Sequence, residues 1–88
     1  MRIRVEAAWH ESMLAERVMP AKSSQDGAMV QLTIVVGTDG SVLETRPLAG
    51  PEEHIALAAD AVRQWKYRPT KLNGRPVEVE STVELFVP

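Results

Sequence analysis

Hydrophobic and polar residues alternate most regularly between Met29 and Val36. Four side chains, those of Val30, Leu32, Ile34 and Val36, fall on one face of an extended chain, and the segment is rich in β-branched residues. Such a pattern predicts a β-strand that buries one face completely.

The residues that follow predict a hairpin. The segment Gly37-Thr38-Asp39-Gly40 contains an Asp-Gly pair, which supplies the positive φ angles of a tight turn. A second strand is expected from Ser41 to about Leu48. Because Pro47 cannot donate a ladder hydrogen bond, we expect this strand to lie at a sheet edge or to carry a bulge.

An apolar stripe at helical spacing comes next. Pro51 suits the first helical position because its missing N–H would be unpaired there in any case, and Pro69 ends the helix at or before Arg68. The stripe comprises Ile55, Ala58, Ala59, Val62 and Trp65. We expect this helix to cover one face of a sheet, and we assign to the core Ile55, Val62, Trp65 and Tyr67.

The last part of the chain predicts a turn at Leu72-Asn73-Gly74-Arg75 and a long strand from about Val77 to Val87. One face of this strand is mostly apolar, whereas Glu78, Glu80 and Glu84 lie on the other face. This alternation is typical of an antiparallel sheet with one solvated side.

The first quarter of the chain gives weaker signals. Between Arg2 and Glu6, charged residues alternate with Ile3 and Val5, as in an exposed edge strand. The segment from Glu11 to Arg17 fits either a helical turn or a short extended piece, and Pro20 to Gly27 is a polar connector.

Together these elements predict an α+β fold, in which a small antiparallel β-sheet carries one principal helix packed on one face, as a two-layer sandwich. The 88 residues are enough for a single small domain. We expect residues 1–26 to form an N-terminal extension or edge segment and residues 27–88 to form the core.

Composition excludes several classes of function. A net charge of −2 gives no electrostatic basis for binding DNA or RNA. The absence of cysteine excludes disulfides, a thiol nucleophile and structural zinc sites of the cysteine type. No apolar run approaches the roughly 18 residues that a membrane helix needs.

No group of residues indicates catalysis. His10 and His54 lack the spacing of metal ligands, so we expect both to be solvated surface residues. Asp26 and Asp39 each precede a glycine, and turn chemistry explains both. No nucleophile, base and orienting group occur together. The sequence therefore predicts a protein that is not an enzyme and has neither a metal site nor a cofactor.

Basic residues cluster near the end of the predicted helix. With no acidic residue among them, the sequence places there Arg63, Lys66, Arg68, Lys71 and Arg75. We interpret them as a solvated helix end and loop. Contact with anionic lipid or peptidoglycan is the alternative, which strong salt dependence of binding would indicate.

The long final strand offers a binding mode that needs no side-chain chemistry. At a sheet edge, its free N–H and C=O groups form a template for another strand. In peptide capture by strand addition, main-chain hydrogen bonds give affinity and alternate side chains fix the register.

Four motifs occur in order along the chain. They are Gly27-x-Met29-Val30-Gln31-Leu32, Asp39-Gly40-Ser41-Val42, the run AVRQWKYRP that starts at Ala61, and NGRPVEVE that starts at Asn73. Together they resemble the C-terminal domain of TonB-family energy transducers, over roughly residues 27 to 88. The resemblance implies an α+β sandwich of one main helix on a three-stranded antiparallel sheet.

The resemblance also implies a role. A domain of this type lies in the periplasm, tethered to the inner membrane by a segment outside this chain. It captures an extended segment of an outer-membrane transporter and passes on force from inner-membrane motor proteins. By resemblance, the strand that receives the transporter segment maps onto Val77, Glu78, Val79, Glu80, Ser81, Thr82, Val83, Glu84 and Leu85. The alternative is an envelope assembly or homodimerisation module that uses the same strand edge without energy transduction.

The N-terminal segment leads to a separate hypothesis. Arg2 to Glu6 alternates and has no other obvious place, so we consider pairing with the final strand, in its own chain or in a neighbouring one. Pairing in its own chain would block strand addition until the segment is displaced. If the final strand is an edge, a proline at Val79 or Val83 should weaken partner binding.

Overall fold

The computed structural model describes all residues from Met1 to Pro88 and contains seven strands and two helices. In chain order these are β1 (Arg2–Arg4), α1 (Ala7–Glu11), β2 (Leu14–Glu16), β3 (Ala28–Val36), β4 (Val42–Ala49), α2 (Glu52–Val62), β5 (Lys66–Tyr67), β6 (Thr70–Leu72) and β7 (Arg75–Val87). The main sheet has the order β1-β7-β3-β4, with β6 paired to β7, while β2 and β5 form a second sheet. The predicted α+β architecture is confirmed.

The antiparallel ladder between β3 and β7 is the centre of the main sheet. Its register runs without a break from Ala28 opposite Val87 to Val36 opposite Val79. The face that both strands turn toward α2 is apolar, and Val30, Leu32 and Ile34 on β3 have no exposed surface. Burying each side chain of this size contributes about 1.5–3 kcal/mol, so this face supplies much of the core.

The core assignments hold for three of the four predicted residues. Val62, Trp65 and Tyr67 are buried in one cluster with the apolar face of the sheet. Ile55 is only partly buried and packs against the margin of that cluster. The fully buried Ala58 has a small side chain, which lets α2 lie close to the sheet.

The helix ends before Trp65, so the assignment of this residue to the helical stripe is wrong. α2 stops at Val62, and the N–H groups of Gln64 and Trp65 donate to the carbonyl oxygens of Ala61 and Val62, each over 3.0 Å. Bonds that reach back three residues tighten the end of a helix. Trp65 follows Val62 by three residues, which is a helical spacing. The apolar pattern therefore cannot show whether the helix ends at Val62 or continues to Trp65.

The sheet is not wholly antiparallel, which corrects the prediction. β1 pairs with β7 in parallel, with Arg2 opposite Glu78 and Arg4 opposite Glu80. Parallel neighbours need a long connection, and here all the other elements lie between the two strands. The edge strand expected between Arg2 and Glu6 is present, and it pairs with the last strand of its own chain.

The remaining predicted elements are found with small changes. The segment from Glu11 to Arg17 contains both the end of α1 and the short strand β2, and no helix or strand forms between Pro20 and Gly27. β4 is an edge strand whose register with β3 shifts at two places, as the presence of Pro47 predicts.

The two hairpin turns differ in backbone conformation. Asn73 and Gly74 both have positive φ, 53° and 81°, as a two-residue turn between twisted strands requires. At the other turn only Gly40 has positive φ, 88°, so the expectation for Asp39 is wrong. Asp39 instead accepts hydrogen bonds from the N–H and hydroxyl of Ser41, which lower the pKa of its carboxyl group.

Gly40 is also fixed by a close approach of two backbone segments. The Tyr67 N–H donates to the Gly40 carbonyl over 2.9 Å, and a Cβ at Gly40 would collide with the Tyr67 carbonyl oxygen. We therefore expect Gly40→Ala to lower the free energy of unfolding by about 2–3 kcal/mol, from backbone strain plus the lost contact.

Gly74→Ala is the matched control in the same urea titration. Its φ is also positive, but nothing lies within 4 Å of the added Cβ, so we expect a loss of about 1 kcal/mol from strain alone. Equal losses for the two variants would contradict the role of the Gly40–Tyr67 contact.

Candidate functional site

The two flanks of β7 are covered to different extents. On one flank β3 pairs with it as far as Val87. On the other flank β1 reaches only Glu80. The Glu78 N–H donates to the Met1 carbonyl over 3.0 Å, and the Val5 N–H donates to the Glu80 carbonyl over 3.1 Å. Beyond these bonds no strand lies on this side of β7.

The uncovered backbone belongs to Thr82, Glu84 and Phe86. Alternate residues of a strand direct their N–H and C=O to the same side, so these three point the same way as Glu78 and Glu80. Neither a strand nor a loop forms backbone hydrogen bonds with these three residues on this side. We call the stretch from Thr82 to Phe86 the open flank, and it has the free donors and acceptors that an added strand requires.

The nine residues predicted to receive a partner are therefore divided by the structure. Val77 pairs with β6, and Glu78 to Glu80 pair with β1. From Ser81 to Leu85 the only strand that pairs with it is β3. The receiving role of the whole segment stays a prediction, and only its second half has an outer flank that no strand pairs with.

A cleft of about 220 Å³ lies beside the open flank. Glu11 and Arg17 contribute to it from the N-terminal segment, and Thr82 and Glu84 contribute from β7. A second cleft of about 380 Å³ shares Glu11, Arg17 and Glu84 with the first. Because they share these residues, the two clefts are neighbours, and we call them together the edge groove.

Apolar side chains are available at the second cleft. Phe86 and Met29, which are opposite each other in the β3–β7 ladder, are 54% and 49% exposed. Met19 lies in the same cleft and is also exposed. A partner strand on the open flank would find apolar surface beside it.

Trp65 contributes to both clefts and fixes the N-terminal segment. Its indole N–H donates to the Val18 carbonyl over 2.8 Å, and the Arg17 guanidinium lies 5.1 Å from the ring centroid. Both contacts hold the residues after β2 beside the open flank, so the wall of the edge groove is part of the folded structure.

His10 is buried, so the prediction that it is a solvated surface residue is wrong. Its Nδ1 lies within hydrogen-bonding distance of the Ser81 hydroxyl, and its ring stacks on Tyr67 with centroids 4.1 Å apart. These contacts anchor α1 on β7. The signal in the sequence was Ser81, a polar residue within the apolar face of the last strand.

Burial changes the protonation of this cluster. It lowers the pKa of His10 below its ordinary value and raises the pKa of Tyr67 to about 12. Near pH 7 both rings are therefore neutral. The stacked rings of His10 and Tyr67 can therefore be buried without removing a charge from water.

His54 is also buried, and its surface assignment is wrong too. Its Nε2 lies 2.6 Å from the Asp26 carbonyl oxygen and 3.1 Å from the Ser23 hydroxyl. Next to it, Glu53 accepts hydrogen bonds from the N–H and hydroxyl of Ser24, which lower the pKa of the carboxyl group. These contacts tie the polar connector to α2.

The acidic face of β7 is paired along its first half. Arg2 contacts Glu78 at 3.1 Å and Arg4 contacts Glu80 at 3.6 Å, and Arg46 of β4 also contacts Glu80, at 2.9 Å. Glu84 instead accepts a hydrogen bond of 2.7 Å from the Gln31 amide and forms no ion pair. We call the Arg–Glu pairs between β1 and β7 the charge ladder.

The basic cluster does not line the edge groove. Lys71 and Arg75 flank the β6–β7 turn, at the opposite end of β7 from the open flank. Arg63 forms an ion pair with Asp60 at 2.8 Å. The interpretation of the cluster as a solvated helix end and loop agrees with the exposure of all five side chains.

The family model described as Gram-negative bacterial TonB protein C-terminal matches residues 19–85. The chain belongs to this family. Domains of the family are periplasmic, interact with outer-membrane transporters, and serve energy transduction by protein contact rather than catalysis. β1, α1 and β2 lie before the matched residues.

The other comparisons add no relatives. No curated protein and no solved structure gave a significant match. Neither helix has the length and apolarity needed to cross a bilayer, and no three His, Asp or Glu side chains are grouped as metal ligands would be.

The buried His10 makes stability depend on pH. Its folded-state pKa is lowered, so its contribution is complete above the ordinary value of 6.5 and is lost as the pH falls toward the folded-state pKa. We expect the free energy of unfolding to fall between pH 7 and pH 5. We expect His10→Asn, which keeps a polar group for Ser81, to reduce this slope.

Urea titrations at half-unit pH steps measure this slope in both proteins. The window stays above the range in which ordinary carboxyl groups titrate. Parallel curves for the two proteins would show that His10 is not the group responsible.

Proposed function

We propose that this chain is a non-enzymatic, periplasmic protein-binding domain of a TonB-like energy transducer. We propose further that it captures an extended segment of an outer-membrane transporter by adding it as a strand to the open flank. The supporting observation is the row of backbone groups at Thr82, Glu84 and Phe86 that no strand covers. The family match supports the transporter as the class of partner.

The binding energy would come from two sources. Each main-chain hydrogen bond contributes about 0.5–1.5 kcal/mol net, because the free groups are solvated before binding. Alternate side chains of the guest would add contact with the edge groove, where Phe86 and Met29 are exposed. The backbone gives a general affinity, and the groove gives selectivity.

The same arrangement suits the transmission of force. If a guest strand alongside β7 is pulled along the direction of the paired backbones, its hydrogen bonds share the load. The β3–β7 ladder joins the receiving strand to the core over nine residue pairs. Motor proteins of the inner membrane would act through parts of the protein outside this chain.

A proline on the open flank tests strand addition. The N–H groups of Val79 and Val83 face β3, so proline there would damage the sheet itself, and the test belongs at Thr82. Thr82→Pro removes an outward donor at an edge, where proline is tolerated. We expect it to weaken binding of the peptide acetyl-Thr-Val-Gln-Val-Tyr-amide about threefold to tenfold, measured by calorimetry.

Thr82→Val is the matched control, since it keeps the backbone donor and the β-branched shape. Amide hydrogen exchange gives a second readout: the peptide should protect the amides of Thr82, Glu84 and Phe86. Equal affinities for the two variants, with no added protection at these amides, would rule out pairing on the open flank.

Removal of β1 tests whether this strand limits the site. The deletion should cover residues 1–5 only, because α1 is anchored through His10. We expect it to free the outward groups of Glu78 and Glu80, and to create a site for the added peptide Met-Arg-Ile-Arg-Val-Glu, which has the sequence of residues 1–6. Longer guest peptides should then bind more tightly than they bind the full chain.

The full chain with Arg2→Ala and Arg4→Ala is the control, because it weakens the charge ladder and leaves β1 in place. We expect an intermediate affinity for it. An unchanged affinity of a nine-residue guest after the deletion would contradict blocking by β1.

A further inference from the structure

We propose that the open flank selects a guest strand that carries a basic residue opposite Glu84, in the parallel register that β1 already shows on β7. This inference rests on the proposed strand addition and specifies the guest. It follows from the charge ladder, from the unpaired charge of Glu84 and from the make-up of the edge groove.

β1 shows what the outer flank of β7 accepts. It lies parallel to β7, and its basic residues stand directly opposite acidic ones: Arg2 opposite Glu78 and Arg4 opposite Glu80. Both pairs form ion contacts, at 3.1 and 3.6 Å. Opposite charges that face each other across two strands favour pairing and fix its register.

The acidic row of β7 continues beyond the end of β1. Glu84 is the next acid on this face, and its carboxylate accepts a hydrogen bond from the neutral Gln31 amide and forms no ion pair. Thr82 lies between Glu80 and Glu84 in the row, and the exposed Phe86 follows. A guest that continues the register of β1 would place one residue opposite each member of this row, and a lysine or arginine opposite Glu84.

The charges that line the edge groove also favour a basic guest residue. Its charged residues are Glu11, Arg17 and Glu84. Arg17 already contacts Glu11 at 3.9 Å and lies over the Trp65 ring. Glu84 is thus the charged group of the groove that has no partner of opposite sign, and the guest residues on either side of the basic one would meet Val83 and Leu85.

A second copy of this chain fits the open flank poorly. A two-fold antiparallel pairing that used the whole stretch from Thr82 to Phe86 would be centred on Glu84. It would set the two Glu84 side chains directly opposite each other, and like charges in that position oppose pairing. A heterologous basic guest avoids this repulsion.

The test uses the full chain and three peptides, acetyl-Thr-Val-X-Val-Tyr-amide, with arginine, glutamine or glutamate at X. In the parallel register X lies opposite Glu84. We expect the arginine peptide to bind about threefold to tenfold more tightly than the glutamate peptide at low salt, with glutamine between them. The difference should shrink as salt is added.

Glu84→Arg should reverse the order of the three peptides. Glu52→Arg is the matched control, since Glu52 is an exposed acid on α2 that lines neither cleft of the edge groove and forms no ion pair. It makes the same change of net charge and should leave the order unchanged. Reversal by both variants would assign the preference to overall charge and overturn the inference.

The remaining outcomes separate this inference from the proposed function. Equal affinities of the three peptides, with the amides of Thr82, Glu84 and Phe86 protected by each, would overturn the basic preference and leave strand addition standing. Failure of every peptide to bind would overturn both. Concentration-dependent dimers in sedimentation, dissociated by the glutamine peptide, would show that the flank takes a second copy and would overturn the inference.

Discussion

The structure depends on the register between β3 and β7. Because successive side chains of a strand point to opposite faces, a shift of one residue would turn Glu78, Glu80 and Glu84 toward the core. The observed register instead buries Val79, Leu85 and Val87 and leaves the acids on the outer face. β3 also forms hydrogen bonds along one side of the β7 backbone. The register therefore determines which N–H and C=O groups of β7 point away from β3.

The two edges of the main sheet, one at β4 and the other at the uncovered part of β7, differ in how they are protected against pairing with a further strand. β4 carries Pro47 and two register shifts, features that hinder pairing with a further strand. The β7 edge has no such protection between Thr82 and Phe86. There the chain runs extended and regular, beside a groove with exposed apolar side chains. This difference between the edges supports a binding role for β7 and not for β4.

Much of this arrangement follows from the sequence because it depends on local periodicity. The strands β3 and β7, the Asn73-Gly74 turn and the edge character of β4 each have a signal within a few residues. The burial of His10 and His54 has no such local signal, because their partners Ser81 and Ser23 are 71 and 31 residues away. The parallel docking of β1 likewise depends on contacts with the far end of the chain. The sequence therefore predicted the long final strand but not which part of its outer flank stays uncovered.

The presence of β1 gives the site an expected dependence on guest length. β1 is joined to the domain through α1, which His10 anchors, so it competes for its part of β7 at a high effective concentration. In the proposed strand addition, a guest of about five residues would pair with the open flank and leave β1 in place. If such a guest is extended at its N-terminal end in the parallel register, it must displace β1 and break the charge ladder to gain further hydrogen bonds. The hydrogen bonds that the guest gains and those that β1 loses involve the same backbone groups of Glu78 and Glu80. A longer guest would therefore gain little affinity unless its side chains pair with these two acids better than Arg2 and Arg4 do.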